Sequence, residues 1–254
     1  MEPKAGGLQA VILDVDGTLV DSERHGHRVA FNQAFEAFGL PWRWDEDTYG
    51  ELLRITGGQR RLHHYLADQG VGDDERDELV PALHARKTEI LGDLVEAGRI
   101  EVRPGAQRLL HEVAEAGVFL AVATTGSRAW VDGLLRRLVG DVEFAAVVTG
   151  DDVTHRKPDP EAFTVALERL GVAPDVAVAV EDSSEGLAAA GGAGLACAVV
   201  VNGYTADHDL GAAELVVDGF GAPDAPARVL ADWVGTGCEG VVDLAVLERL
   251  AASR

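Results

Sequence analysis

An α/β fold, in which a parallel sheet is covered by helices on both faces and carries an inserted helical unit, follows from three observations. Apolar runs of strand length recur at residues 8–13, 118–123, 145–148, 176–180, 195–201 and 215–217. They are nearly continuous in Val, Ile, Leu and Ala, the signature of strands buried on both faces. Helical spacings separate most of the later runs, as with Phe163, Ala166, Leu167 and Leu170 at i, i+3, i+4 and i+7. The gap between the first and second runs is far too long for one crossover and holds only helix-like segments. The expected organisation is a Rossmann-like core over residues 1–20 and 99–254, interrupted by a helical cap over 21–98.

The first strand ends in Leu13-Asp14-Val15-Asp16-Gly17-Thr18-Leu19. Side chains at i and i+2 of a strand share a face, so Asp14 and Asp16 reach one small volume. Gly17 permits the sharp turn that leaves both acids in a mouth and out of the core. Folding gives no reason for paired acids there. A hard cation such as Mg2+, a carboxylate nucleophile, or both, would.

In the insertion, Phe31, Ala34, Phe35 and Phe38 mark one apolar helical stripe, and Leu79, Leu83, Ile90 and Leu94 mark another. Ligands of open α/β sheets bind beyond the carboxyl ends of the strands, so the cap is expected to face Asp14 and Asp16. Arg103-Pro104-Gly105 reads as the return into the core.

Later strand exits carry more chemistry. Thr124, Thr125 and Gly126 follow the second run, where a hydroxyl and backbone N–H groups can hold phosphate oxygens; a plain helix cap is the alternative. Lys157 stands in His155-Arg156-Lys157-Pro158-Asp159-Pro160, a loop that two prolines hold extended. There a lysine can point inward at a phosphoryl group and neutralise carboxylates. Glu181-Asp182 ends the fourth run and is followed by Ser183-Ser184-Glu185-Gly186, so that acids again meet a helix N-terminus and either Asp182 or Ser183 can cap it. Residues 226–254 carry a helical pattern (Val241, Leu244, Val246, Leu247, Leu250) and no nameable chemistry; a packing or oligomer-contact helix is expected.

Composition narrows the partners. The formal charge of −21, from 22 basic and 43 acidic residues, argues against nucleic acid and anionic membranes. An anionic substrate would need a metal and local cations to overcome that field. No apolar stretch approaches the ~18 residues of a membrane span, and Cys197 and Cys238 lie far apart. A cytosolic protein with reduced thiols is expected, as a monomer or weak dimer.

The order Asp-x-Asp-Gly-Thr, Thr, Lys-Pro, Glu-Asp, each at a strand exit, resembles the magnesium-dependent phosphotransferase branch of the haloacid dehalogenase superfamily, over residues 8 to about 203. The resemblance implies Asp14 as nucleophile, Asp16 as general acid/base, Thr124 and Lys157 as phosphoryl contacts with Thr125 and Gly126 beside them, and Mg2+ held by Asp14, the Asp16 carbonyl and Asp182, with Glu181 in support. Dehalogenases proper lack the second Asp.

Cap segments permit a finer match. Asp21-Ser22-Glu23, Gly26-His27-Arg28-Val29-Ala30-Phe31-Asn32, Trp44-Asp45, Tyr49-Gly50-Glu51-Leu52-Leu53, Thr56-Gly57-Gly58 and the later Gly203-Tyr204-Thr205-Ala206-Asp207 resemble the CbbY-type phosphatases, which act on xylulose-1,5-bisphosphate. This resemblance implies that Glu23 and Tyr49 contact the sugar, that His27 sits nearby, and that the loop at Gly57 and Gly58 clamps the distal phosphate. The chain departs from the family pattern there, reading Gly58-Gln59-Arg60-Arg61 where the family has Gly-Lys-Glu-Arg. Arg60 adds a cation one position on, but one helical step turns a side chain by about 100°. Trp42 and Trp44 read as structural anchors, and His63-His64 as exposed positions. A phosphosugar mutase of the β-phosphoglucomutase type shares all the core motifs, and a non-enzymatic phospho-receiver shares the Asp, Thr and Lys but not their order.

Overall fold

The computed structural model describes residues 7–55 and 57–253. By contacts the chain divides into two compact units, one made of the stretch up to Asp21 together with Val102 onward, the other Ser22–Glu101. The boundaries read from sequence, 20/21 and 98/99, fall one and three residues earlier in the chain than these.

The first unit holds a 7-stranded sheet: β1 (Ala10–Leu13), β2 (Phe119–Ala123), β3 (Ala146–Val148), β4 (Ala177–Glu181), β5 (Ala196–Val200), β6 (Leu215–Val217) and β7 (Val229–Asp232), in the order β3-β2-β1-β4-β5-β6-β7. All neighbours are parallel except β6 and β7. Strands β1, β4 and β5 are buried along their whole length, which is why they read as unbroken apolar runs. The order reverses at β1 and β4, a topological switch point where a crevice opens beyond the strands' carboxyl ends.

On one face Ala10, Ile12, Ala121, Ala179 and Val199 pack with Phe163 and Ala166 of α7 (Glu161–Leu170) and with Leu187 and Ala190 of α8 (Ser184–Gly192). The other is closed by α5 (Ala106–Glu115) on β2 and α9 (Leu244–Ala251) on β4 and β5. Each buried Leu or Phe side chain there contributes about 1.5–3 kcal/mol. The helix expected near the C-terminus therefore packs inside its own unit. The strand β7 was not expected: its residues are exposed or half-buried, so no apolar run betrays it, and it adds antiparallel to the edge of β6.

The second unit contains a π-helical turn (Glu23–His27), α1 (Arg28–Ala37), α2 (Glu46–Leu53), α3 (Gly58–Asp68) and the long α4 (Asp73–Glu96). Its centre is aromatic. Phe31, Phe35, Trp44 and Tyr49 are fully buried, with ring centroids 4.7 Å apart for Phe31 and Trp44 and 5.0 Å for Phe35 and Trp44. Asn32 pins the strand-like approach to α2 by accepting from Trp44 N at 2.7 Å and donating to Trp44 O at 2.8 Å. Three positions of the expected stripes shift. Phe38 caps α1 and is 41% exposed, and on α4 the buried apolar residues are Val80, Leu83, Ile90, Leu91 and Val95, with Leu79 and Leu94 only half-buried at the stripe's margin.

Candidate active site

The carboxyl ends of β1, β2 and β4 bring Asp14, Thr124, Glu181 and Asp182 together in the first unit, all buried, with Lys157 from the loop ahead of α7. Lys157 Nζ donates to Asp14 Oδ1 at 2.7 Å, to the Ala123 carbonyl at 2.8 Å, and to Glu181 Oε1 in a short contact. Its stem lies against Phe163, with Nζ 4.9 Å from the ring centre. The peptide bond between Lys157 and Pro158 is cis. Lys157 points inward as expected, but its loop is a turn and not the extended segment read from the two prolines: Asp159 N donates to the Arg156 carbonyl at 3.1 Å.

One oxygen each from Asp14, Glu181 and Asp182 lies within 4.8 Å of the others. Asp182 is held from both sides: Thr18 Oγ1 donates to Oδ1 at 3.2 Å and Asn202 Nδ2 donates to Oδ2 at 2.7 Å. Glu181 accepts from its neighbour Asp182 N at 3.1 Å. Two glycines make the cluster sterically feasible. Gly17 has φ +88°, and a Cβ there would fall 2.4 Å from Asp182 Oδ2. At Gly186, on the first turn of α8, a Cβ would fall 1.9 Å from Glu181 Cδ. Ser183, not Asp182, caps α8 by accepting from Gly186 N at 3.1 Å, which leaves the Asp182 carboxylate to the cluster.

Electrostatics favour a bound cation. Burial pushes the Asp14 carboxyl up to about 7, against the pull of Lys157 and with Glu181 adding to it. Burial, Glu181 and Asp14 raise Asp182 as well. Lys157 is raised: burial alone would lower it, but the Asp14 and Glu181 carboxylates outweigh that. Three buried carboxylates face the Lys157 ammonium, which is bonded to two of them, and the Arg103 guanidinium, whose charge acts on Asp182; all their donor atoms are oxygen, the set a hard divalent cation such as Mg2+ prefers. The residues present fit that ion.

The carboxylate of Asp16 is not part of this close group, although its charge adds to the upward push on Asp14. It is half-buried, and Trp130 Nε1 on the first turn of α6 (Arg128–Val139) donates to its Oδ1 and Oδ2 at 3.3 and 3.2 Å. The two acids read as a pair are therefore held by different groups. Thr124 Oγ1 accepts from Gly126 N at 3.2 Å, and the residue capping α6 is Ser127, so Thr124 and Thr125 are not the helix cap. Thr125 and Gly126 are half-buried beside it.

Sequence reasoning passed over Trp130 and Asn202 and gave no role to Thr18 within its motif or to Arg103. Asn202 obeys the same rule as the other site residues, a polar side chain just past an apolar run, and was findable. Arg103, read only as a return into the core, donates to the carbonyls of Gly17, Val200, Val201 and Asp218 at 2.6, 2.8, 2.7 and 3.2 Å. It ties the Asp-x-Asp-Gly loop to the ends of β5 and β6. No local signal distinguishes such an arginine, or Trp130, from a surface residue.

In the second unit, Tyr49 Oη donates to Glu23 Oε2 at 2.5 Å and accepts from Arg61 Nη1 at 3.3 Å. Arg61 is buried, donates through Nε to the Leu52 carbonyl at 3.0 Å, and lies 5.3 Å from the Tyr49 ring centre. His27 Nδ1 lies 2.6 Å from Nζ of the buried Lys87. Gln59 and Arg60 are exposed, Gly58 is half-buried at the start of α3, and Thr56 lies outside the described residues. The distal-phosphate group of residues expected from sequence is thus divided: Arg61 turns into its own unit, whereas Gln59 and Arg60 face outward. Trp44 is the buried anchor expected, and His63 and His64 are exposed.

A family model described as haloacid dehalogenase-like hydrolase matches residues 8–194. The chain belongs to the haloacid dehalogenase-like hydrolases. Within that family it is similar to Protein CbbY of Cereibacter sphaeroides, 41% identical over 216 residues that cover 84% of this chain and 93% of the relative. A CBBY-like protein of Arabidopsis thaliana is 40% identical over 222 residues, covering 84% of this chain and 70% of the plant protein. Among solved structures, an Asp-to-Asn mutant of CbbY from Rhodobacter sphaeroides in complex with xylulose-(1,5)bisphosphate superposes with a TM-score of 0.78 at 36% identity, covering 95% of this chain and 99% of that one. The chain is accordingly a CbbY-like member of the family and an enzyme of its phosphatase type.

Proposed function

We propose that this chain is a magnesium-dependent sugar-phosphate phosphatase that works through an aspartyl-phosphate on Asp14 and acts on xylulose-1,5-bisphosphate. The observation that carries the reading is the Lys157 ammonium seated between Asp14 and Glu181, beside Asp182, at the switch point of the sheet. The Rhodobacter sphaeroides protein that this chain resembles is in complex with that bisphosphate, which supports the choice of substrate.

Asp14 Oδ attacks phosphorus in line, and the bond to the leaving sugar oxygen breaks. Asp16 gives its proton to that oxygen. Asp16 then takes a proton from water, whose oxygen bonds to phosphorus as the Asp14–phosphorus link opens. Lys157 and Thr124 hold the transferred oxygens, so that charge spreads against fixed donors, which is where most of the catalysis of phosphoryl transfer comes from. Asp14, the Asp16 carbonyl and Asp182, with Glu181 in support, would hold Mg2+, which supplies charge neutralisation at the phosphoryl oxygens. In the helical unit, the proposed cap, Glu23 binds the sugar, oriented by the hydroxyl of the buried Tyr49, with His27 nearby, and Gly58, Gln59 and Arg60 meet the distal phosphate, with Arg61 behind them. Cys197 and Cys238 are buried thiols, a cytoplasmic setting is the proposed location, and among the described residues no helix is long and apolar enough to cross a membrane.

The test is phosphate release from a panel of pentulose bisphosphates, hexose phosphates and phosphoglycolate, with and without Mg2+. Release that requires Mg2+ and is fastest on xylulose-1,5-bisphosphate is expected. Preference for phosphoglycolate sinks the substrate assignment, and isomerised sugar phosphate in place of free phosphate turns the reading toward a mutase.

A further inference from the structure

The mechanism leaves open what holds Asp16. Asp14 is fixed by an ammonium and by burial, but Asp16 is only half-buried and its carboxylate lies outside the cluster of Asp14, Glu181 and Asp182. A group that must meet first a leaving oxygen and then a water needs its position held to within about 0.5 Å. The indole N–H of Trp130 lies almost equidistant from the two Asp16 oxygens, at 3.3 and 3.2 Å. That bifurcated contact fixes the plane of the carboxylate as well as its place. The ring itself is rigid, being 7% exposed on the first turn of α6. Gly126 keeps the contact open: a Cβ there would lie 3.0 Å from Trp130 Cδ1 and 3.3 Å from Asp16 Oδ2.

We propose that Trp130 is a positioning residue for Asp16, aligning the carboxyl group that protonates the sugar oxygen. The indole N–H is a donor only, so it accepts no proton from Asp16. When one oxygen of the protonated carboxyl accepts from Trp130, the O–H is left on the other, free to point at the substrate. As the phosphorus–oxygen bond to the sugar breaks, its electron pair stays on the sugar oxygen, which takes the Asp16 proton. When water later bonds to phosphorus, its proton returns to Asp16 and the Asp14 carboxylate leaves with its electron pair.

The inference rests on the phosphatase reading above, and one experiment separates the two. Phosphorylation of Asp14 is followed in single turnovers with xylulose-1,5-bisphosphate, whose alcohol must be protonated to leave, and with p-nitrophenyl phosphate, whose phenolate leaves unaided. Trp130→Phe is expected to slow phosphorylation from the sugar roughly 10- to 100-fold, within the range of a general acid's contribution, with KM little changed. The p-nitrophenyl rate should change less than about threefold, a split that a merely structural role does not produce. Trp130→His, which keeps a ring N–H, should recover part of the loss and serves as the second variant if the Phe protein folds poorly. In the Asp16→Asn background Trp130→Phe should add nothing, because effects transmitted through one group are not additive. Equal losses on both substrates, no loss on either, or additive losses overturn the proposal. If wild-type protein forms no phospho-Asp14 at all, the phosphatase mechanism falls and this inference with it; if it does form and Trp130→Phe matches it, only the inference falls.

Discussion

The two units concentrate polar side chains in opposite ways. In the sheet unit, Asp14, Glu181, Asp182 and Lys157 crowd ionised groups into a buried mouth at the ends of neighbouring strands. In the helical unit, Glu23, Tyr49 and Arg61 form a short chain that runs from an acid through a phenol to a guanidinium, backed by a wall of aromatic rings. The first arrangement holds carboxyls out of water, which raises Asp14 and Asp182 and suits a bound cation. The second is nearly self-satisfied and sets shape and direction. Chemistry common to a whole family fits the first kind of site, and discrimination between substrates fits the second.

The sharpest way to break this contrast is Asp14→Asn, which should lower phosphate release by about 10⁴-fold or more, as loss of a nucleophile does, on every substrate alike. Substantial residual turnover with Mg2+ binding intact would mean that the sheet unit does not act through Asp14.

Next in size is Lys157→Met. Removing one partner of a buried ion pair costs about 3–5 kcal/mol, read as a lower midpoint in urea. Added Mg2+ should restore part of it, since the ion would replace the lost positive charge. If the midpoint does not respond to Mg2+, the acidic cluster is not where the ion binds. Asp182→Asn should conversely relieve buried charge: the protein without metal should unfold no earlier than wild type, while titration calorimetry shows Mg2+ affinity weakened roughly 10- to 100-fold.

In the helical unit Tyr49→Phe deletes the bond to Glu23 and should raise KM for the sugar phosphate about tenfold, with p-nitrophenyl phosphate unaffected. A loss of equal size on both would make the Glu23, Tyr49 and Arg61 chain a purely structural feature. Gln59→Lys restores the family's lysine, and a several-fold lower KM for the bisphosphate is expected from one added exposed charge.

The smallest effect concerns Asp152 at the end of β3. Burial alone would raise it, but hydrogen bonds from Thr149 and the Arg169 and Arg128 guanidiniums hold it well below the usual carboxylate range. The folded protein therefore binds this proton more weakly than the unfolded chain does. Its stabilisation is complete above about pH 4, the unfolded value, and is lost as pH falls below that. The Tm difference between wild type and Asp152→Ala should accordingly shrink in acid; a constant gap would show that Asp152 contributes by packing alone.

Local sequence was enough for much of the fold and for the acids of the sheet unit. Strands buried on both faces must be apolar throughout, so a polar residue just past the run marks an exit, and Asp14, Thr124 and Asp182 each occupy one. The same rule would have reached Asn202. It fails for β7, whose edge position needs no apolar run, and for Phe38, where the helix ends one residue before the stripe does.

The sequence by itself determined which residue types stand at which strand ends, because side-chain period and burial are local properties of the chain. Only the tertiary structure decided what each one touches. That Lys157 bridges Asp14 and Glu181, that Asp16 accepts from Trp130, and that Arg61 turns inward upon Tyr49 all depend on contacts between residues far apart in sequence. Spacing along a chain fixes a side chain's direction from its own backbone, but partners come from how the elements pack.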